Sequence, residues 1–307
     1  MNTESNFPEP ILPEPILTES KGPELLKLGD LISELEAFSQ TRFMAKSSGI
    51  PFGPVPPWSK LAAEFNGAMP SGVHVLLGGP GIDKTAFALQ LAARCQCPAL
   101  YVTCEMRPLE LLARTIARET GTFLGKLKNG ELTGARVREL AEKAAAGCPG
   151  LAILDGTTGY ASPDAIERAA RHVQGDAPHV LVIVDSLNEW TRSAEVDEAS
   201  EYETMTEGCR TLRQLAGRLG CPILAICERN RASFGKGAAK SKMQAGAGSR
   251  SIEYGSESLM SLDLDPDESE GLPEKTVTLT LEKNRHGSAG AKVPLAFHGA
   301  KQDYTQL

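Results

Sequence analysis

The stretch Val73-His74-Val75-Leu76-Leu77-Gly78-Gly79-Pro80-Gly81-Ile82-Asp83-Lys84-Thr85 decides the fold. An apolar run, Val73 to Leu77, enters a glycine-rich turn, and a helical run from Ala86 to Ala93 leaves it. Strand, tight turn and helix form the context of a phosphate-binding loop. Backbone N–H groups of Gly78, Gly79, Gly81, Ile82 and Asp83 would cradle phosphates, with Pro80 shaping the turn. Lys84 would reach the β- and γ-phosphates of ATP, and the Thr85 hydroxyl would help hold Mg²⁺. One position departs from the pattern. The residue before the lysine is ordinarily glycine, and here it is Asp83, whose carboxylate would repel phosphate unless protonated or turned away.

Outward from the loop, strands are expected at 73–77, 99–104, 151–154, 179–184, 222–227, 258–263, 275–282 and 292–297. Helices are expected at 84–94, 108–120, 133–147, 163–173 and 202–219. This alternation predicts an α/β fold: a mostly parallel sheet flanked by helices, with antiparallel strands at its C-terminal edge. Ligands of such sheets bind beyond the carboxyl ends of the strands, where the glycine-rich turn lies. Residues 1–24 repeat Pro-Glu-Pro-Ile-Leu at 8–12 and 13–17 and read as an extended, disordered tail. Residues 25–58 read as a helix over 25–46 with an apolar stripe of Leu28, Leu31, Ile32, Leu35 and Phe38, then a proline-rich connector. Residues 59–298 form the main domain, and 299–307 read as a C-terminal tail.

Two further apolar strands end in acids. His179-Val180-Leu181-Val182-Ile183-Val184-Asp185 delivers Asp185 as a Walker B candidate, oriented toward Mg²⁺ through water or Thr85. Leu100-Tyr101-Val102-Thr103-Cys104-Glu105 delivers Glu105, which would activate the attacking water if its strand neighbours the phosphate-loop strand. The residues alone leave a second reading open: Glu105 as an acid near the N-terminus of the helix that Pro108 and Glu110 begin. Between Glu228 and Ser251 six cations, Arg229, Arg231, Lys236, Lys240, Lys242 and Arg250, are uninterrupted by any acid and are loosened by Gly235, Gly237, Gly246 and Gly248. That composition suits the backbone of single-stranded nucleic acid, with Phe234 the lone aromatic; a solvated loop is the alternative. Lys283 and Arg285, at i and i+2, would reach a phosphate held by an adjacent subunit, or would flank a solvated turn.

The 307 residues carry a formal charge of −7, which gives no global attraction for nucleic acid, so any such surface must be local. Seven cysteines at 95, 97, 104, 148, 209, 221 and 227 include no zinc-type pairing, and five scattered histidines offer no metal constellation. The start, Met1-Asn2-Thr3-Glu4, has neither the basic nor the apolar region of a signal peptide, and no run is long and clean enough to span a membrane. A cytoplasmic protein is expected.

In order along the chain, these motifs resemble the C-terminal motor domain of the replicative DnaB-type helicases, RecA-like hexameric ATPases of superfamily 4. The likeness covers most of residues 50–298: Gly49-Ile50-Pro51-Phe52-Gly53, the phosphate loop, Glu105-Met106, Asp155-Gly156 with Ser162-Pro163-Asp164-Ala165-Ile166, and Asp185-Ser186-Leu187-Asn188. It continues through Cys221 to Ile226 with Asn230-Arg231, Ser251-Ile252-Glu253-Tyr254, and Lys283-Asn284-Arg285-His286-Gly287. The resemblance implies a RecA-like P-loop fold, ATP and Mg²⁺ as ligands, and a homo-oligomer in the form of a hexameric ring. It implies single-stranded DNA in the centre and a primase or other replication protein as partner. It makes Glu105 the catalytic base, Glu228 the occupant of the phosphate-sensing glutamine position, and Lys283 with Arg285 the cations presented to a neighbour's ATP. The 25–46 helix matches in position a linker helix that packs on the adjacent motor. Asp83, Glu228 and Tyr254 depart from the family pattern, and the family's N-terminal helical domain is not among these residues. A motor of reduced or modified ATPase activity is therefore expected. A catalytically weak scaffold that binds DNA or a replication partner is the alternative, and a recombinase-like filament a third.

Overall fold

The computed structural model describes residues 25–79, 81–194, 201–228, 255–265 and 273–307. The chain divides into two compact units, Met1–Ser48 and Gly49–Leu307. In the first, a 3₁₀ turn over Leu28–Leu31 leads into helix α1, Ile32–Ser47, so the expected helix starts later and tightens at its entry. The guanidinium of Arg42 lies over the Phe38 ring at 4.7 Å, one turn away.

The second unit is a three-layer α/β/α domain. Its strands are β1 (Gly72–Gly78), β2 (Ala99–Thr103), β3 (Leu151–Asp155), β4 (Leu181–Asp185), β5 (Pro222–Glu228), β6 (Ser258–Leu264), β7 (Glu274–Asn284), β8 (Lys292–His298) and β9 (Asp303–Gln306). Its helices are α2 (Ser59–Glu64), α3 (Lys84–Arg94), α4 (Pro108–Thr120), α5 (Leu124–Lys128), α6 (Gly134–Gly147), α7 (Pro163–Gln174), α8 (Leu187–Arg192) and α9 (Glu201–Leu219). Among the described residues the sheet order is β3-β2-β4-β5-β1-β6-β7-β8-β9. The pairs from β3 to β6 are parallel and the last three pairs antiparallel.

Parallel strands buried on both faces supply two cores by alternation. In β4, Leu181 and Ile183 point into the layer with α2, α3 and α4, and Val182 and Val184 into the layer with α7, α8 and α9. β5 repeats the arrangement, with Leu224 and Ile226 on the first face and Ile223, Ala225 and Cys227 on the second. Helices α4 and α6 close a small satellite cluster around Ile116, Leu140 and Ala144. Serine and proline signals behave as capping chemistry predicts: Ser162 and Ser186 accept from backbone N–H groups three residues on, and Pro108 and Pro163 occupy first helical turns.

Three expectations change. The proline-rich connector belongs to the main domain: Val55 N–H donates to Cys95 O at 2.8 Å, and Met69 N–H to Pro54 O at 2.8 Å. Trp58 is buried and stacks on Phe87 with ring centres 4.2 Å apart. The expected tail, 299–307, instead forms a 3₁₀ turn and strand β9. Its Tyr304 is buried, and the Gln90 side-chain amide pairs with both backbone groups of Tyr304 at 2.8 Å, satisfying a strand edge with a side chain. The strand expected at 179–184 starts at Leu181. All seven cysteines are free thiols. No described helix is long and apolar enough to cross a membrane.

His74 is fully buried in β1. One ring nitrogen, Nε2, lies 2.8 Å from Pro70 O, which can only accept; Nδ1 lies 2.8 Å from Ser258 Oγ. Burial lowers its pKa from 6.5 to about 4. Between those values the unfolded chain holds a proton that the folded chain refuses. Stability is expected to fall as pH drops from 6.5 toward 4, by up to about 3 kcal/mol. His74→Gln should flatten that slope, and urea midpoints across this interval check it.

Candidate nucleotide site

The turn from β1 to α3 is built on two left-handed residues. Gly81 has φ +77°, and a β-carbon there would meet nothing within 4 Å. Asp83, immediately before the helix, has φ 56° and ψ 45°. Glycine is the ordinary occupant of that conformation, and Asp is among the few other residues enriched in it. The substitution therefore leaves the backbone path available. Its charge is also answered within the fold: Asp83 Oδ1 lies 3.2 Å from Arg114 Nη1 of α4. Pro80 lies outside the described residues.

Lys84 folds back over the turn, its Nζ donating to Gly78 O at 3.0 Å and Gly79 O at 3.2 Å. A β-carbon at Gly78 would come within 3.1 Å of the lysine stem, so the glycine forms the floor on which Lys84 lies. Thr85 Oγ1 donates to Asp185 Oδ2 at 2.8 Å, joining residues 100 positions apart. Tyr101 OH donates to the same oxygen at 2.6 Å. Asp185 is 4% exposed. Burial raises its pKa, and the Tyr101 and Thr85 hydrogen bonds and the charges of Lys84 and Arg114 oppose that rise. Tyr101 is itself pushed well above its ordinary value, first by burial and then by Asp185, so its phenol remains a donor. A hydroxyl and a carboxylate are hard oxygen donors of the kind Mg²⁺ takes, and the adjacent Lys84 ammonium suits phosphate. The residues present fit ATP with Mg²⁺.

Glu105 follows β2, which neighbours β4 and is separated from β1 by β4 and β5. The condition placed on Glu105, that its strand neighbour the phosphate-loop strand, is not met: β2 lies beside the strand of Asp185 instead. Cys104 N–H donates to Asp185 O at 2.7 Å, tying the end of β2 to the end of β4. The turn beyond is pinned by Thr103, whose hydroxyl donates to Met106 O, and by Gly156 N–H, which donates to Thr103 O at 2.7 Å. A β-carbon at Gly156 would approach Thr103 O to 2.9 Å, which explains the glycine of Asp155-Gly156. Glu228 ends β5 level with Gly78, and its N–H donates to Asn188 Oδ1 at 3.1 Å. The Glu105 pKa is raised by burial, then by the charges of Asp185, Glu228 and Glu189, with Lys84 opposing. Glu105, Asp185, Glu189, Glu228 and Lys84 thus share one electrostatic neighbourhood. The nearby Cys104 thiol, raised to about 12 by burial and by Asp185 and Glu189, reports the same acidity.

Lys283 and Arg285 lie elsewhere. Lys283 Nζ donates to Ser256 O at 2.6 Å. Arg285 pairs with Glu257 at 3.0 Å, and His286 Nε2 is 3.0 Å from the same carboxylate. Lys283 is level with Leu259, and Leu259 with Val75. Both cations therefore flank the N-terminal part of β1, about 10 Å or more from the level of Gly78 at ~3.3 Å per residue. The Asp83 neighbourhood and this one are at different ends of the sheet. Arg229, Arg231, Lys236, Lys240, Lys242, Arg250 and Tyr254 lie outside the described residues.

Sequence reading passed over Tyr101, Arg114, Asn188 and Gln302 as site residues. Tyr101 sits at a core-facing strand position, and Arg114 is one of two cations on α4. Nothing in their local pattern distinguishes them, because their partners lie 84 and 31 residues away.

A family model described as the DnaB-like helicase C terminal domain matches residues 56–306. The chain is 26% identical over 288 residues to the replicative DNA helicase DnaB of Treponema pallidum (strain Nichols), a match covering 89% of this chain and 60% of that protein. The chain thus spans about 60% of the length of this curated relative. Among solved structures, an isolated ATPase domain matches with TM-score 0.73 and 19% identity, over 89% of this chain and 98% of that one. The structure of a DnaB-like replicative helicase, described together with its interactions with primase, matches with TM-score 0.72 and 18% identity, over 91% and 72%. The RadB recombinase matches with TM-score 0.50 and 18% identity, over 82% and 98%. The fold is that of the RecA-like P-loop NTPases, with antiparallel strands added at one edge.

Removing a like charge favours ionisation of those that remain. Glu228→Gln is therefore expected to move the Glu105 titration down toward the ordinary 4.5. A carboxyl-carbon NMR titration reads the midpoint directly, and an unmoved midpoint would remove Glu228 from this neighbourhood.

Proposed function

Because the chain belongs to the family of DnaB-like helicase C-terminal domains, we propose that it is a ring-forming, ATP-dependent motor that translocates on single-stranded DNA, a replicative-type helicase of reduced or modified ATPase activity. The observation that carries this reading is the Thr85–Asp185 hydrogen bond beside Lys84, with Glu105 in the same electrostatic neighbourhood. Lys84 offsets negative charge that develops on the β- and γ-phosphates of ATP. Thr85 and Asp185 hold Mg²⁺, which when bound neutralises phosphate charge. Glu105 orients the attacking water and takes its proton, a role that its raised pKa suits by strengthening the base.

Lys283 and Arg285 act on the ATP of an adjacent copy in a homo-oligomer, proposed as a hexameric ring. Their level on the sheet supports this, since they flank the end of β1 away from their own phosphate loop. The six cations between 229 and 250 bind the DNA backbone, on the strength of their composition. A primase or another replication protein is proposed as a partner.

A second reading has its own observation. Three further carboxylates, Asp185, Glu228 and Glu189, act on Glu105, and one lysine, Lys84, opposes them. Such crowding suits a scaffold that binds nucleotide weakly and turns it over slowly. Steady-state ATP hydrolysis with and without single-stranded DNA separates the two. The motor reading expects DNA-stimulated turnover, abolished by Lys84→Ala and lowered roughly 10²–10⁴-fold by Glu105→Gln with nucleotide binding retained. Turnover unchanged by both substitutions would sink it. Bound nucleotide without turnover in the parent would favour the scaffold.

A further inference from the structure

Resting on the nucleotide reading above, we propose that Arg114 is a positioning residue for the phosphate loop: it holds the Asp83 carboxylate aside, so that a loop carrying an acid where glycine is usual can still accept a nucleotide polyphosphate. The geometry has three independent parts. Arg114 Nη1 lies 3.2 Å from Asp83 Oδ1; the Arg114 side chain is 14% exposed and that of Asp83 31%, so the arginine is shielded while the carboxylate is partly open to solvent. The same nitrogen donates to Gln302 Oε1. Gln302 is in turn fixed in the left-handed conformation, with Nε2 donating to Gly299 O at 2.7 Å. Tyr304 OH then donates to Ile82 O at 2.7 Å, one residue before Asp83. The C-terminal segment thus reaches the loop directly at Ile82 O and, through Arg114, at the neighbouring Asp83.

A guanidinium whose Nη1 is also hydrogen-bonded to Gln302 fixes where the carboxylate points as well as offsetting its charge. Freed of Arg114, Asp83 keeps its charge and its left-handed backbone beside Lys84. It can then compete for the ammonium and repel an incoming anion. The dependence on Arg114 is therefore conditional on the acid: with glycine at 83 there is nothing to hold.

The test is a double-substitution cycle on the full chain, reading the Kd of a fluorescent ATP analogue with Mg²⁺. Arg114→Gln is expected to weaken binding about tenfold or more in the parent and by less than about twofold when Asp83→Gly is also present. Arg114→Lys should recover part of the parental affinity, since it keeps the charge and loses the planar fork. Thermal unfolding of each variant runs alongside. A general structural loss would weaken binding equally in both backgrounds, and that result overturns the proposal, as does unchanged binding in the parental background. Absence of binding by both the parent and Asp83→Gly would overturn the nucleotide reading itself, and this inference with it.

Discussion

A carboxylate buried at the end of a central strand is the constraint on which the site depends. Asp185 lies between β2 and β5, and transfer of its charge from water is costly unless donors meet it. Tyr101 meets it from β2 and Thr85 from the first turn of α3, both on the same oxygen. These bonds join the phosphate loop, the strand that leads to Glu105 and the strand that bears the acid. Disturbing any of the three elements would leave the charge less well compensated. The two-faced core fixes those strands in register, so the donors arrive preorganised. Leu181 and Ile183 secure β4 from one side, and Val182 and Val184 from the other.

The acid at position 83 shows how a fold absorbs a departure from an ordinary motif. Two demands meet there: a left-handed backbone and a tolerable charge. Aspartate satisfies the first through its intrinsic conformational range. The second is met by Arg114, with Gln302 behind it. That support arrives on residues 299–304, which also contribute an edge strand and the buried Tyr304. The C-terminal segment therefore serves stability and the site together. Trp58 Nε1 donates to Tyr304 O at 3.1 Å, drawing the proline-rich connector into the same corner.

The cations at 283 and 285 are held at another corner by Ser256 O and Glu257. Glu257 also contacts His286, and its N–H donates to Val73 O at 2.7 Å, so this cluster is anchored on the start of β1. One strand therefore carries the phosphate loop at its end and the second cationic cluster beside its beginning. In a ring of identical subunits such a separation lets each copy offer one end of the sheet to the next.

Much of this was legible in the residues because it is local. The phosphate loop, the strand-end acids Asp185 and Glu105 and most element boundaries follow from periodicity, turn chemistry and short motifs, and a family resemblance assembled them into a RecA-like fold. Strand order was another matter. Sequence left open whether β2 lies beside β1, and the sheet places β4 and β5 between them. Tyr101 reads as one more core residue, Arg114 as one more surface cation, and 299–307 as a tail. Each gains its role from partners far along the chain: Asp185, Asp83 with Gln302, and Gln90 with Trp58. Local pattern determines which segments become strands and helices and which residues can carry phosphate chemistry. Only tertiary packing decides which charges meet, because burial and distance, the quantities that set their interaction, arise when remote strands are brought side by side.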